Sequence, residues 1–165
     1  MKLSLHLTPD HLQTLHHHAE RTYPEECCGI LLGVIQQQAD QIQKTLMDLI
    51  ETENAWSEAV AADLASVGIA SSRHASTAAR RDRYWIDPAM LLQAQKQARD
   101  RGLQIIGIYH SHPDHPAIPS ETDRTLAWAE YSYIISSVQQ GKVTETRSWS
   151  LDQNHQFCEE KLVVR

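Results

Sequence analysis

LQIIGIYHSHPDHPAIPSETD, residues 103–123, joins a continuous apolar run to a crowd of ligand-capable side chains. The apolar half, LQIIGIYH, has the length and β-branched content of a strand buried on both faces. His110 and His112 lie two apart where that strand runs out. On an extended backbone, side chains two apart project to the same side, so both imidazoles can reach one point. Seven residues then separate His112 from Ser120, which opens a helix with Asp123 three positions on. Ser-x-x-Asp at a helix start is an ordinary capping-box variant. Pro113, Pro116 and Pro119 stiffen the connecting loop. A strand end and a helix start can thus bring two imidazole nitrogens and one carboxylate together. Three N/O ligands with an open fourth position are the usual design of a catalytic zinc site, where the metal lowers the pKa of water towards neutrality. His115 is expected on the solvent side of the loop.

Working outward, DPAMLLQAQKQARDRG ahead of this stretch predicts the chain's clearest helix. Asp87 caps it, Pro88 occupies its first turn and Gly102 stops it. RYWI, residues 83–86, predicts a strand. KLSLHL, residues 2–7, alternates as a half-buried strand does, and TPDHLQTLHHHAERTYPEE predicts a helix capped by Thr8 and ended by Pro24. CGILLGVI, residues 28–35, predicts a buried strand. QIQKTLMDLIET, residues 41–52, suits either its hairpin partner or a helix. Residues 57–79 shift to Ala, Ser and small polar residues without a clean period, predicting a loop or insertion with a single helical turn in WSEAVAADLA. SETDRTLAWAEY predicts a helix. YSYIISSV, KVTETRSWSL and CEEKLVV predict three strands, the first two joined by a Gln-Gln-Gly turn. The 165 residues form one α/β domain with a mixed sheet and helices packed on it.

The composition narrows the function classes. A net charge of −6 argues against nucleic acid or an anionic membrane as a general partner. Cys27, Cys28 and Cys158 form no Cys-x-x-Cys and leave an odd thiol, which suits a reducing compartment. The N-terminus lacks a signal-peptide core and no run approaches a membrane span, so a soluble, cytoplasmic protein is expected. The triplet His16–His18 lies within a helix, where consecutive side chains diverge, and is not expected to chelate. Cys27 and Cys28 have no local histidine and are expected as small packing residues.

A hydrolytic zinc site also needs a base, and no carboxylate within the histidine motif is free to serve. The candidates are Glu25 and Glu26 in YPEECCG. Their side chains diverge, and chain geometry alone does not choose between them.

The chain resembles the JAB/MPN family of zinc metalloproteases that carry the JAMM motif. That motif is a distant Glu, then His-x-His, seven residues, Ser, two residues and Asp. His110, Ser111, His112, PDHPAIP, Ser120, ET and Asp123 match it without a gap. Pro24, Glu26 and Gly29 match the upstream Pro-x-Glu-x-x-Gly. ENAW, RYWIDP, GIYHSHP and YIIS fall in the family's order, and the C-terminal segment resembles small stand-alone prokaryotic members. The resemblance implies one zinc per chain on His110, His112 and Asp123, with Glu26 as general base and then acid, and Ser120 stabilising the oxyanion. It implies a single-domain, cytidine-deaminase-like α/β sandwich with a mixed, curved sheet flanked by helices. The implied reaction is hydrolysis of a peptide or isopeptide bond after the Gly-Gly tail of a ubiquitin-like or sulfur-carrier protein of β-grasp fold. The alternative is an inert scaffold of the same fold, as in family members that lost their ligands. A zinc nucleoside deaminase would need His-x-Glu followed by Pro-Cys-x-x-Cys, which this chain lacks.

Overall fold

The computed structural model describes residues 2–69 and 80–165. Along the chain run β1 (Lys2–Leu7), α1 (Pro9–Thr22), β2 (Cys28–Gln38), β3 (Gln41–Thr52) and α2 (Glu58–Ser66). They are followed by α3 (Pro88–Asp100), β4 (Gln104–Pro113), α4 (Glu121–Leu126), β5 (Ser132–Gln139), β6 (Lys142–Leu151) and β7 (Phe157–Val164). The sheet is mixed. β2 and β3 form an antiparallel hairpin, β4 lies antiparallel to β2, and β5 lies parallel to β4. β6 and β7 continue antiparallel, and β1 pairs in parallel with both β7 and β3. The seven strands therefore close into a barrel in the order β1-β3-β2-β4-β5-β6-β7, where a sandwich layer would be open. Closure gives each of these strands a partner on both sides among the described residues, and β1 supplies it.

Two cores pack on the two faces of this sheet, as period-2 strands require. Leu31 of β2 and Tyr109 of β4 join Leu5, Leu46 and Ile134 under α1, which contributes Leu15 and Ala19. Ile30, Leu32 and Ile108 face the other way, against Ala94 and Ala98 of α3. The helix ends follow the expected chemistry. Thr8 accepts from the His11 amide, and Asp87 accepts from the Ala89 amide at 2.8 Å. Gly102 takes φ +66° just beyond α3.

Four expectations are narrowed or changed. The Gln41–Thr52 segment is a strand, because its backbone is paired on both sides, by β2 and by β1. RYWI belongs to no strand; the Trp85 amide and carbonyl bond to Asn54 and Ala55 instead of a ladder. Within 57–79, residues Glu58–Ser66 form a helix of more than one turn, capped by Ser57 and packed through Leu64 beside Trp56. Residues 70–79 of that expected insertion lie outside the described residues. The helix expected over 120–131 is shorter, ending at Leu126 because Ala127 turns extended and the Trp128 amide bonds the Tyr133 hydroxyl.

Gly107 shows how tightly β4 and β5 approach beneath the histidines. A Cβ there would sit 2.1 Å from the Ser132 carbonyl oxygen. Gly107→Ala is expected to lower stability by about 1–3 kcal/mol through this overpacking. An unchanged denaturation midpoint would show that the β4–β5 pair yields without cost.

Candidate active site

The site is built where β4 ends. His110 pairs with Cys28 of β2 on one side and with Ile135 of β5 on the other, so its backbone is held in the sheet. Alternation puts His110 and His112 on the same face, and Ser111 on the opposite one, where its hydroxyl accepts from the Cys27 amide at 2.8 Å. The loop that follows is tacked down at several points. The Asp114 amide donates to the Val138 carbonyl, the Ser137 hydroxyl donates to the His115 carbonyl, and Trp149 Nε1 donates to the Ala117 carbonyl. The prolines therefore work inside a hydrogen-bonded path that returns the chain to Ser120.

Ser120 caps α4 through a reciprocal pair. Its hydroxyl accepts from the Asp123 amide at 3.1 Å, while Asp123 Oδ2 accepts from the Ser120 amide at 2.7 Å and the Ser120 hydroxyl at 2.8 Å. The capping function and the ligand geometry thus coexist in one carboxylate. Asp123 Oδ1 is left facing His110 Nε2 at 3.4 Å, Oδ2 lies 3.4 Å from His112 Nε2, and the two Nε2 atoms are 3.1 Å apart. The candidate ligand atoms of His110, His112 and Asp123 all lie within 4.8 Å of one another, and the three residues are buried.

These residues fit a small divalent cation on three counts. Metal–ligand bonds of about 2.0–2.1 Å in a tetrahedron place neighbouring ligands about 3.3 Å apart, the spacing seen here. His112 Nδ1 lies 2.8 Å from the Pro116 carbonyl, an acceptor, so Nδ1 carries the proton and Nε2 presents a lone pair to the cluster. Burial lowers the His110 pKa, and although burial acts to raise the Asp123 carboxyl, attraction and hydrogen bonding from the two imidazoles outweigh it and hold it well below the ordinary range. Neutral histidine and ionised carboxylate are the forms a metal needs. The ring of Tyr84 stacks on His110, with centroids 4.5 Å apart, and His110 Nδ1 is buried with no hydrogen-bond partner among the described residues.

The structure separates the two upstream carboxylates. The β2–β4 register pairs Cys28 with His110, and the Ser111 amide donates to the Cys27 carbonyl, so Glu26 comes opposite His112. Glu26 Oε1 lies 3.9 Å from His112 Nε2. Glu25 instead borders a separate cavity with His18, Arg21 and Glu51. Glu26 is buried, and desolvation followed by the negative charges of Asp123 and Asp82 holds its carboxyl well above the ordinary range, with Arg83 acting against them. It lines a cleft of roughly 300 Å³ with Arg83, His112, His115, Ile118 and Ser120. His115 is exposed, as expected, yet sits on the wall of this cleft. On the other side of Tyr84 runs an apolar groove bordered by Trp85, Leu91, Leu126, Trp128 and Tyr131.

The bland readings of the other candidates agree with their surroundings. His16 meets Thr146, His18 bonds Tyr109, and His17 is exposed, so the triplet points three ways. Cys27 and Cys28 are buried, and desolvation pushes both thiols up to about 12, which leaves them inert at neutral pH. Sequence reasoning missed Tyr84, Arg83 and Asn54 as neighbours of the site. RYWI and ENAW carry no spacing signal that would have aimed them at the histidines.

With this geometry in place, the relatives can be compared. The family model for prokaryotic homologs of the JAB domain matches residues 8–152. A probable TtuB-protein conjugate cleaving protease of Thermus thermophilus is 44% identical over 52 residues, 32% of this chain and 35% of that protein. A desampylase of Haloferax volcanii is 35% identical over 71 residues, 42% of this chain and 50% of that protein. The chain thus spans between a third and a half of the length of these two curated relatives. Among solved structures, a protein of Salinibacter ruber is 30% identical with a TM-score of 0.64, covering 100% of this chain and 92% of that one. A protein of Desulfitobacterium hafniense shares the fold at a TM-score of 0.70 and 24% identity, covering 98% and 92%. The match over residues 8–152, which takes in Glu26, His110, His112, Ser120 and Asp123, makes this chain a member of the prokaryotic JAB domain family.

Proposed function

We propose that this protein is a metal-dependent isopeptidase or peptidase. It hydrolyses the bond after the Gly-Gly tail of a ubiquitin-like or sulfur-carrier protein of β-grasp fold. The observation that carries this reading is one buried carboxylate, Glu26, set beside a three-ligand cluster and opening on a cleft. His110, His112 and Asp123 would hold one zinc ion. When bound, zinc supplies Lewis acidity and brings the pKa of water towards neutrality.

The chain's own groups supply the proton transfers. Glu26 takes the proton of the attacking water and hands it to the leaving amine. Its burial makes the protonated form accessible, as that second step requires. Ser120 lines the same cleft; its hydroxyl turns from Asp123 Oδ2 to the developing oxyanion, while its amide continues to hold that carboxylate. The apolar groove beyond Tyr84 offers an apolar contact for part of a substrate, with Trp128 62% and Leu92 54% exposed on its rim. The names of the relatives, desampylase and conjugate-cleaving protease, support a protein conjugate as the substrate.

The test is incubation of the zinc-loaded protein with Gly-Gly-tailed carrier proteins, linked onward by a peptide bond or through a lysine isopeptide. Mass spectrometry should find the carrier ending at its second glycine, and a chelator should stop the reaction until zinc is restored. No cleavage of any tail sinks this reading in favour of a scaffold role, and turnover indifferent to chelation removes its metal dependence.

No helix among the described residues is long and apolar enough to cross a membrane. A cytoplasmic location is part of the same proposal; the unpaired thiols of Cys27, Cys28 and Cys158 support it.

A further inference from the structure

The segment Arg80–Ile86 crosses beside the site without joining the sheet, and its backbone is stitched to two other segments. The Glu26 amide donates to the Arg80 carbonyl at 2.7 Å, and the Ala55 amide donates to the Trp85 carbonyl at 2.9 Å. Arg80 Nε donates to the Trp56 carbonyl at 3.0 Å. At the centre of these stitches is the half-buried Asn54. Its Nδ2 donates to the Glu26 carbonyl at 3.1 Å and to the Arg83 carbonyl at 2.8 Å. Its Oδ1 accepts from the Trp56 amide at 3.1 Å and from the Trp85 amide at 3.2 Å.

Both donors and both acceptor positions of this amide are thus in use. Each bond ends on backbone, so Asn54 fixes chain segments and not merely side chains. One segment carries Glu26. Another carries Tyr84, whose ring stacks on His110. The same amide therefore joins the backbone of the proposed base to the backbone of the residue that packs on one of the proposed ligands. A displacement of about 1 Å in such an arrangement can cost on the order of 100-fold in rate. No other side chain forms a hydrogen bond to the Glu26 carbonyl among the described residues.

We propose that Asn54 is a positioning residue for the hydrolytic reaction. It sets the reach of Glu26 towards the His110–His112–Asp123 cluster by tying the Glu26 carbonyl to the Arg80–Ile86 segment. The inference rests on the base role assigned to Glu26 above.

Asn54→Asp tests it with almost no change of shape. It replaces the two N–H donors with oxygen facing the Glu26 and Arg83 carbonyls, and keeps the acceptor side for Trp56 and Trp85. With zinc loaded, kcat on a cleaved tail should fall about 10- to 100-fold while KM stays within about twofold and zinc content is unchanged. Amide hydrogen exchange supplies a readout independent of turnover: protection should be lost at Glu26, whose amide depends on the Arg80 carbonyl, but kept along β4 and β5. Asn54→Ala serves as the second variant if Asn54→Asp does not fold; it should lower kcat in the same way, and because it also removes the acceptor of the Trp56 and Trp85 amides, protection should be lost there as well as at Glu26. Unchanged kcat, or unchanged exchange at Glu26, overturns the inference. So does loss of protection throughout β4 with loss of zinc, which marks a general structural role. If the wild-type protein cleaves no tail, the proposed function falls separately. Exchange then decides whether the clamp exists: in Asn54→Asp, loss at Glu26 with β4 and β5 still protected upholds it, and any other pattern removes it.

Discussion

Glu26→Gln should leave zinc bound at the wild-type level and lower kcat by about 10²–10⁴-fold, the usual contribution of a general acid–base. The substitution preserves the size of the side chain and both backbone bonds of residue 26, to the Arg80 carbonyl and from Asn54. It removes only the capacity to take up and release a proton. The cluster of His110, His112 and Asp123 does not include Glu26, so metal content should be insensitive to the change. Glu25→Gln provides the contrast. Glu25 borders a different cavity, and its variant should turn over at close to the wild-type rate. Metal analysis beside steady-state kinetics checks both. Retained turnover in Glu26→Gln, or an equal loss in Glu25→Gln, would remove the base assignment.

The second large effect is expected at Asp123, where one carboxylate serves two structures. Asp123→Ala deletes the only anionic member of the cluster and also the acceptor of the Ser120 amide. Zinc affinity should fall by more than about 100-fold, beyond what loss of an outer partner costs, and hydrolysis should vanish with it. The metal-free protein should also lose about 1 kcal/mol through the broken cap. Asp123→Asn separates the two roles, since its amide oxygen can still accept from Ser120 while the negative charge is gone. Metal retention after a chelator challenge, with thermal melts of the metal-free forms, distinguishes them. Stoichiometric zinc at undiminished affinity in either variant would contradict the ligand role.

The parts of this site that were legible before any coordinates are those set by local backbone repeats. Residues two apart on an extended chain share a side, and a Ser three positions before an Asp caps a helix. His110 with His112 and Ser120 with Asp123 therefore meet as their spacing predicts. Element types followed for the same reason where the period was clean, as in α1 and β1, while α3 followed from its caps and β4 from its continuous apolar run. Gln41–Thr52 had two periods open to it, and only pairing with neighbours on both sides selected the strand. RYWI has strand composition, but the strands beside it are already paired, so its polar backbone groups go to Asn54 and Ala55.

Sequence by itself determined which residues could bind a metal, and that they would converge where a strand gives way to a helix. Tertiary structure decided which glutamate joins them. Glu26 lies 86 residues before His112, and no local repeat spans that distance. The β2–β4 register, Cys28 against His110, turns Glu26 towards the imidazoles, while Glu25 lies beside Arg21 and Glu51. Closure of the sheet through β1 and the four bonds of Asn54 are decided at the same level, by pairing between segments far apart in the chain.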